Sequence, residues 1–142
     1  MKRILLPGLV AIMMSGCASM NMKDSSQGLI GEWHLESIAG RPVIDYSPAT
    51  ITFSEENKLA GNASCNRYFG TYTLKGDKLK IDSPMGMTMM MCAEALMDQE
   101  GRLMQALEAV DAMRFENGLL ILVDSRQKEM IRASRVEEIS GP

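Results

Sequence analysis

From residue 31 onward, apolar and polar positions alternate in short runs separated by turn residues. Trp33, Leu35 and Ser37 interleave with Glu32, His34 and Glu36, the two-residue period of a strand with one buried face. Ala39-Gly40-Arg41-Pro42 breaks that run, and residues 50–53 resume it after Ser47-Pro48. Glu56-Asn57 turns the chain into residues 58–62. Residues 67–74 read as the next strand, and Gly76-Asp77 makes a tight hairpin into residues 78–83. The first half is thus predicted to be an antiparallel meander.

The period changes at Cys92. Over residues 92–111, Leu96, Met97, Leu103, Met104, Leu107 and Val110 recur at spacings of three and four. Asp98, Gln99, Glu100, Arg102, Gln105 and Glu108 take the other side, which predicts one amphipathic helix of about five turns. Residues 112–116, 119–123 and 129–133 are again strand-like, the first two joined by Asn117-Gly118, a strong hairpin signal. One helix cannot cover both faces of such a sheet, so the sheet is expected to curl, with the helix across an open side or end. The predicted fold class is α+β: a mostly antiparallel curled sheet or partly open small barrel of about eight strands, one amphipathic helix preceding the last three. Closure of the barrel is not decided by the pattern.

The first residues follow a different logic. Lys2 and Arg3 precede an apolar run from Ile4 to Met14, and Ser15-Gly16 puts small residues before Cys17. This has the anatomy of a secretory signal, and the run is short of the about 20 apolar residues that span a bilayer. Met14-Ser15-Gly16-Cys17 resembles the bacterial lipobox, whose cysteine is acylated and becomes the mature N-terminus. The expected organisation is a cleaved signal over residues 1–16, a lipidated Cys17 with a flexible tether over 17–29, one domain over 30–136 and a C-terminal tail over 137–142. Acyl chains contribute about 0.8 kcal/mol per buried methylene, so multiple acylation would hold the protein on a membrane. Ala18 stands where the resembled class uses Asp for inner-membrane retention, so the expected location is the periplasmic face of an outer membrane.

Removing Lys2 and Arg3 with the leader takes the formal net charge from −3 to −5. Mild acidity without a basic cluster argues against nucleic acid as a partner. The expected contacts are the membrane, through the lipid, and an unidentified envelope protein or component; no cofactor and no small-molecule substrate are predicted.

With Cys17 assigned to lipid, Cys65 and Cys92 remain as a pair in an oxidising compartment. They are either a disulfide or two buried thiols, and spacing does not choose between them. His34 is the one histidine and lies on a polar strand face, where it would serve catalysis only beside a free thiol. No catalytic residues are predicted. Met85, Met87, Met89 and Met91 would share one face of an extended segment leading into Cys92. Thioethers and thiolates are soft ligands, so these residues form an alternative Cu(I) or Ag(I) site. Core packing by flexible methionines is the favoured reading. A third class is an inhibitory or chaperone-like binding module.

Residues 61–72, GNASCNRYFGTY, resemble the signature of the META domain family: glycine, then cysteine-asparagine-arginine, then aromatic-glycine-aromatic. Gly31-Glu32-Trp33, Met87-Thr88, Met90, Cys92, Glu100, Leu107 and residues 119–122 extend the resemblance in order. Met89 and Met91 depart from it, where relatives tend to carry Arg and Ala. The resemblance implies a non-enzymatic envelope or secreted protein, linked in bacteria to heat shock and novobiocin tolerance and in trypanosomatids to virulence. The candidate binding or structural residues are Asn62, Asn66, Arg67, Tyr68 and Tyr72. Asn66 is expected to fix its own turn, Arg67 to make a forked set of hydrogen bonds, and the tyrosines to fill the core.

Overall fold

A computed structural model describes residues 22–137. Cys17, the leader and most of the tail lie outside the described residues. Helix α1 (Met22–Leu29) leads into β1 (Gly31–Ile38), β2 (Arg41–Pro42), β3 (Thr50–Ser54), β4 (Lys58–Asn62), β5 (Arg67–Lys75), β6 (Lys78–Ile81) and β7 (Gly86–Met87). Then come α2 (Glu94–Ala109), β8 (Ala112–Glu116), β9 (Leu119–Val123) and β10 (Glu129–Arg135).

The strands run antiparallel in the order β6-β5-β4-β3-β1-β10-β9-β8, with β2 on β1 and β7 on β5. The two ends of that order meet. Leu79 N donates to Asp111 O at 3.2 Å and Met113 N to Asp77 O at 2.8 Å. Lys78 and Lys80 reach the Asp111 carboxylate at 3.1 and 2.6 Å. The sheet is therefore a nearly closed barrel, and edge strands that would otherwise present unpaired backbone are joined.

The inward positions of the alternating strands fill the interior: Trp33, Leu35, Ile51, Phe53, Leu59, Tyr68, Tyr72, Leu79, Leu120, Leu122 and Ile131 are buried. Helix α2 adds Leu103, Ala106 and Leu107 from one face and packs over β1, β6 and β10. It is shorter at both ends than its apolar pattern suggested. Cys92 is held by a covalent bond before the first turn, and Asp111 N is drawn into the sheet by Val123 O at 2.8 Å.

Two expectations are corrected. Gln99 and Glu100 do not sit on the solvent side of α2; they are 0% and 5% exposed. Hydrogen bonds to distant loops turn them inward, which spacing alone could not show. The second half of the expected tether, residues 22–29, is helical, and Leu29 is fully buried. The Leu29 carbonyl accepts from Trp33 Nε1 at 2.9 Å, and the Arg135 guanidinium caps the Gly28 and Ile30 carbonyls while lying 4.2 Å from the Trp33 ring centroid. Those contacts extend the domain N-terminally.

Candidate functional site

The signature residues divide into two groups. Asn66, 2% exposed, sits at the turn between β4 and β5 and ties three segments together. Its backbone N–H donates to Glu100 Oε2 at 2.7 Å and its Nδ2 to Glu100 Oε1 at 2.9 Å. Its Oδ1 accepts from Met90 N at 2.6 Å and Thr88 Oγ1 at 2.9 Å, and Nδ2 also reaches Met90 O at 3.2 Å. A buried polar group is tolerated when every donor and acceptor is matched, and Asn66 meets that condition. The expectation that the Asn66 side chain fixes its own turn is corrected: within the turn only its backbone carbonyl takes part, accepting from Ala63 N at 2.7 Å, while the amide is spent on α2 and the 88–90 segment.

Cys65 and Cys92 are joined in a disulfide across 27 positions, with Cα atoms 6.0 Å apart. That settles the alternative between bridge and free thiols in this structure. It also withdraws both thiolates from the soft-ligand set and leaves His34, which is exposed, without a free thiol to activate among the described residues.

Gln99 repeats the device on a neighbouring loop. Its Oε1 accepts from Ile44 N at 2.8 Å and its Nε2 donates to Ser47 O at 3.1 Å. Ser47 Oγ in turn donates to Ser64 O at 3.2 Å. The loops 43–49, 63–66 and 88–93 are thus fixed to the N-terminal half of α2 at one end of the barrel. Beside the exposed Asp45 and Thr88, they send large, mainly apolar side chains outward: Tyr46 is 77% exposed, Met89 90%, Met90 55% and Met91 91%. Met85 instead packs against the core and Met87 is half-buried in β7, so the four methionines are not presented alike.

Tyr68 and Tyr72 point inward as expected. Tyr68 Oη donates to Thr50 O at 2.8 Å and Tyr72 Oη to Ser54 O at 3.0 Å; burial pushes both phenols above their ordinary value. Phe53 meets the Tyr72 ring edge-on at 5.1 Å. Gly61 is required by this packing, because a Cβ there would lie 2.1 Å from Thr50 O and 2.6 Å from Tyr68 Oη.

Arg67 departs from its expectation. Alternation along β5 places it outside the barrel, where its guanidinium makes no hydrogen bond or ion pair among the described residues. It borders a polar groove of about 340 Å³ lined also by Glu32, Thr50, Thr52 and Asn62. The Asn62 side chain is partly occupied, since its Oδ1 accepts from Ser64 N at 3.0 Å.

Sequence and structure comparisons agree with this description. The chain matches the META domain over residues 27–137. It is 32% identical over 103 residues to heat shock protein HslJ of Escherichia coli K12, covering 70% of this chain and 71% of that protein. A Burkholderia xenovorans protein solved by NMR superposes with a TM-score of 0.65 at 24% identity, covering 97% of this chain and all of the other. A DUF4847 family protein from Bacteroides vulgatus gives a TM-score of 0.57 at 14% identity, covering 81% of this chain and 99% of its own; both likenesses are of fold. With its family match spanning the barrel, its helix and the Asn66 turn, this chain belongs to the META domain family.

Proposed function

We propose that this chain is a lipid-anchored, non-enzymatic binding module of the cell envelope, contacting a protein partner through the barrel end that displays Tyr46, Met89 and Met91, in the service of stress tolerance. One observation carries the reading: three loops are locked by buried side chains and a disulfide, yet two of them hold the large, mainly apolar side chains of Tyr46, Met89, Met90 and Met91 out in solvent. Locking reduces the ordering cost of association, and exposed apolar groups in one place mark contact surfaces.

The direction of attachment favours a protein over the lipid surface as the occupant. The tether reaches β1 at Gly31, which pairs with Phe53 at the far end of β3. The apolar loops lie toward the other end, meeting β1 at Leu35 and Glu36, about 15 Å farther along the strand. The signal and lipobox pattern support an envelope address, and the name of HslJ supports the link to stress.

A photocrosslinking residue at position 46 or 91, in intact envelopes, tests this. The same adduct is expected from both positions and not from position 56, in the turn at the opposite end of β3 and β4. Adducts of equal yield from all three positions would defeat the proposal.

A further inference from the structure

Alternate residues between Thr88 and Cys92 are anchored. Thr88 N donates to Arg67 O at 3.0 Å, both backbone polar atoms of Met90 are held by the Asn66 amide, and Cys92 is in the disulfide. Met89 and Met91 fall between these anchors and stand 90% and 91% exposed. The backbone is fixed while the thioethers of Met89 and Met91 stand the most open to solvent in the segment. Among the other described methionines the side chain is better covered: Met90 is 55% exposed, Met113 is 4% exposed, and Met85, Met104 and Met130 pack against the core. Oxidation of a thioether follows its accessibility, and among the described residues no thiolate, the usual competing sulfur nucleophile, is left because Cys65 and Cys92 are joined.

We propose that Met89 and Met91 form a reversible oxidation site that takes an oxygen atom each from a hydroperoxide, converting the apolar end of the barrel into a polar one without unfolding it. The sulfur lone pair attacks the terminal peroxide oxygen, the O–O bond breaks and the S–O bond forms. The leaving hydroxide or alkoxide takes up a proton and departs as water or alcohol. Sulfur loses two electrons and the peroxide gains them. The product is a polar, chiral sulfoxide that dedicated reductases return to the thioether. Neither side chain belongs to the core cluster, so its oxidation removes no packing there. An oxygen on Met113 would have to enter the core. The switching half of the inference rests on the docking surface proposed above, because the polarity change matters where a partner touches it.

Hydrogen peroxide titration of the full chain in mild detergent, read by peptide mass spectrometry and thermal unfolding, tests the site itself. Met89 and Met91 are expected to gain oxygen at least about tenfold faster than Met113, with Tm held within about 2 °C when only those two are modified. Sulfoxide reductases specific for each epimer should remove both oxygens from the folded protein. The double variant M89L/M91L should keep the same Tm and lose the two fast additions. Comparable rates at Met113, or a Tm fall of more than about 5 °C on oxidation of Met89 and Met91 alone, would overturn the site. For the switch, crosslinking from position 46 is repeated with oxidised and reductase-treated chain. Adduct yield should drop several-fold and then recover. An unchanged yield beside the expected oxidation map overturns the switching half alone. No site-dependent adduct in either state removes the docking reading and the switch together, while the oxidation rates decide the site independently.

Discussion

Asn66 and Glu100, 34 positions apart, face each other through two hydrogen bonds, one from the Asn66 backbone and one from its side chain, each to a different carboxylate oxygen. The pair fixes the α2 helix to the β4–β5 turn, and the opposite edge of the same amide holds Met90 and Thr88. One amide thus links the helix, a strand turn and the disulfide-bearing segment.

Asn66→Ala removes four side-chain hydrogen bonds in a buried place, and the expected cost is about 2–4 kcal/mol, read from urea unfolding. Asn66→Asp is expected to cost at least as much at neutral pH, since it sets a carboxylate against Glu100, and to recover partly as acid protonates one of the two. Asn66→Asp with Glu100→Gln restores an amide opposite a carboxylate with the roles exchanged. That double variant should be more stable than Asn66→Asp alone; equal stability would mean that the pair is not coupled.

The disulfide closes a loop of 27 positions, for which restriction of the unfolded chain is worth about 3.5 kcal/mol in the loop-entropy description. Reductant is expected to lower the urea midpoint by a corresponding amount. Alkylation without reductant should leave Cys65 and Cys92 unlabelled by mass.

Gly61→Ala is the substitution expected to damage the barrel most for its size. The added methyl would meet a backbone carbonyl at 2.1 Å, and backbone cannot swing aside as a side chain can. The expected loss is about 3 kcal/mol or more, beyond ordinary overpacking. Gly70→Ala is the control: its Cβ would meet the flexible Met85 Cγ at 3.1 Å, so a smaller loss in Tm is expected.

The strands were legible because polarity along a strand is a local signal: Trp33 and Leu35 alternate with polar neighbours, Tyr68 and Tyr72 share a face, and Leu119 to Val123 is continuously apolar, whereas the pairing of β1 with β10 is not carried by such a signal. The Asn117-Gly118 hairpin was legible for the same reason, both residues taking the positive φ, 51° and 78°, that the turn requires. Gln99 and Glu100 were misread because polarity predicts solvent only when no partner is supplied from elsewhere in the chain. Their partners, at Ile44, Ser47 and Asn66, are 34 to 55 positions away. Closure by Asp111 was illegible likewise, resting on contacts between the first and last strands of the sheet order. Arg67 was placed in a structural role by its neighbours in the signature, whereas strand alternation sends it out of the barrel.

The closure at Asp111 makes the barrel sensitive to acid. Hydrogen bonds from Lys80 and then Lys78 hold its carboxyl below the ordinary aspartate value of 3.8. A carboxyl whose pKa is lower folded than unfolded contributes stability above the unfolded value, and that contribution disappears as pH falls through the folded one. The contribution of this contact is therefore complete at neutral pH and is lost only below about pH 4. Asp111→Asn removes the charge but keeps the shape and the backbone bonds to Val123 and Leu79. The variant is expected to be less stable than the parent at pH 7 and to approach it near pH 2–3, in urea unfolding followed across that range; a constant difference at every pH would assign the closure to the backbone bonds alone.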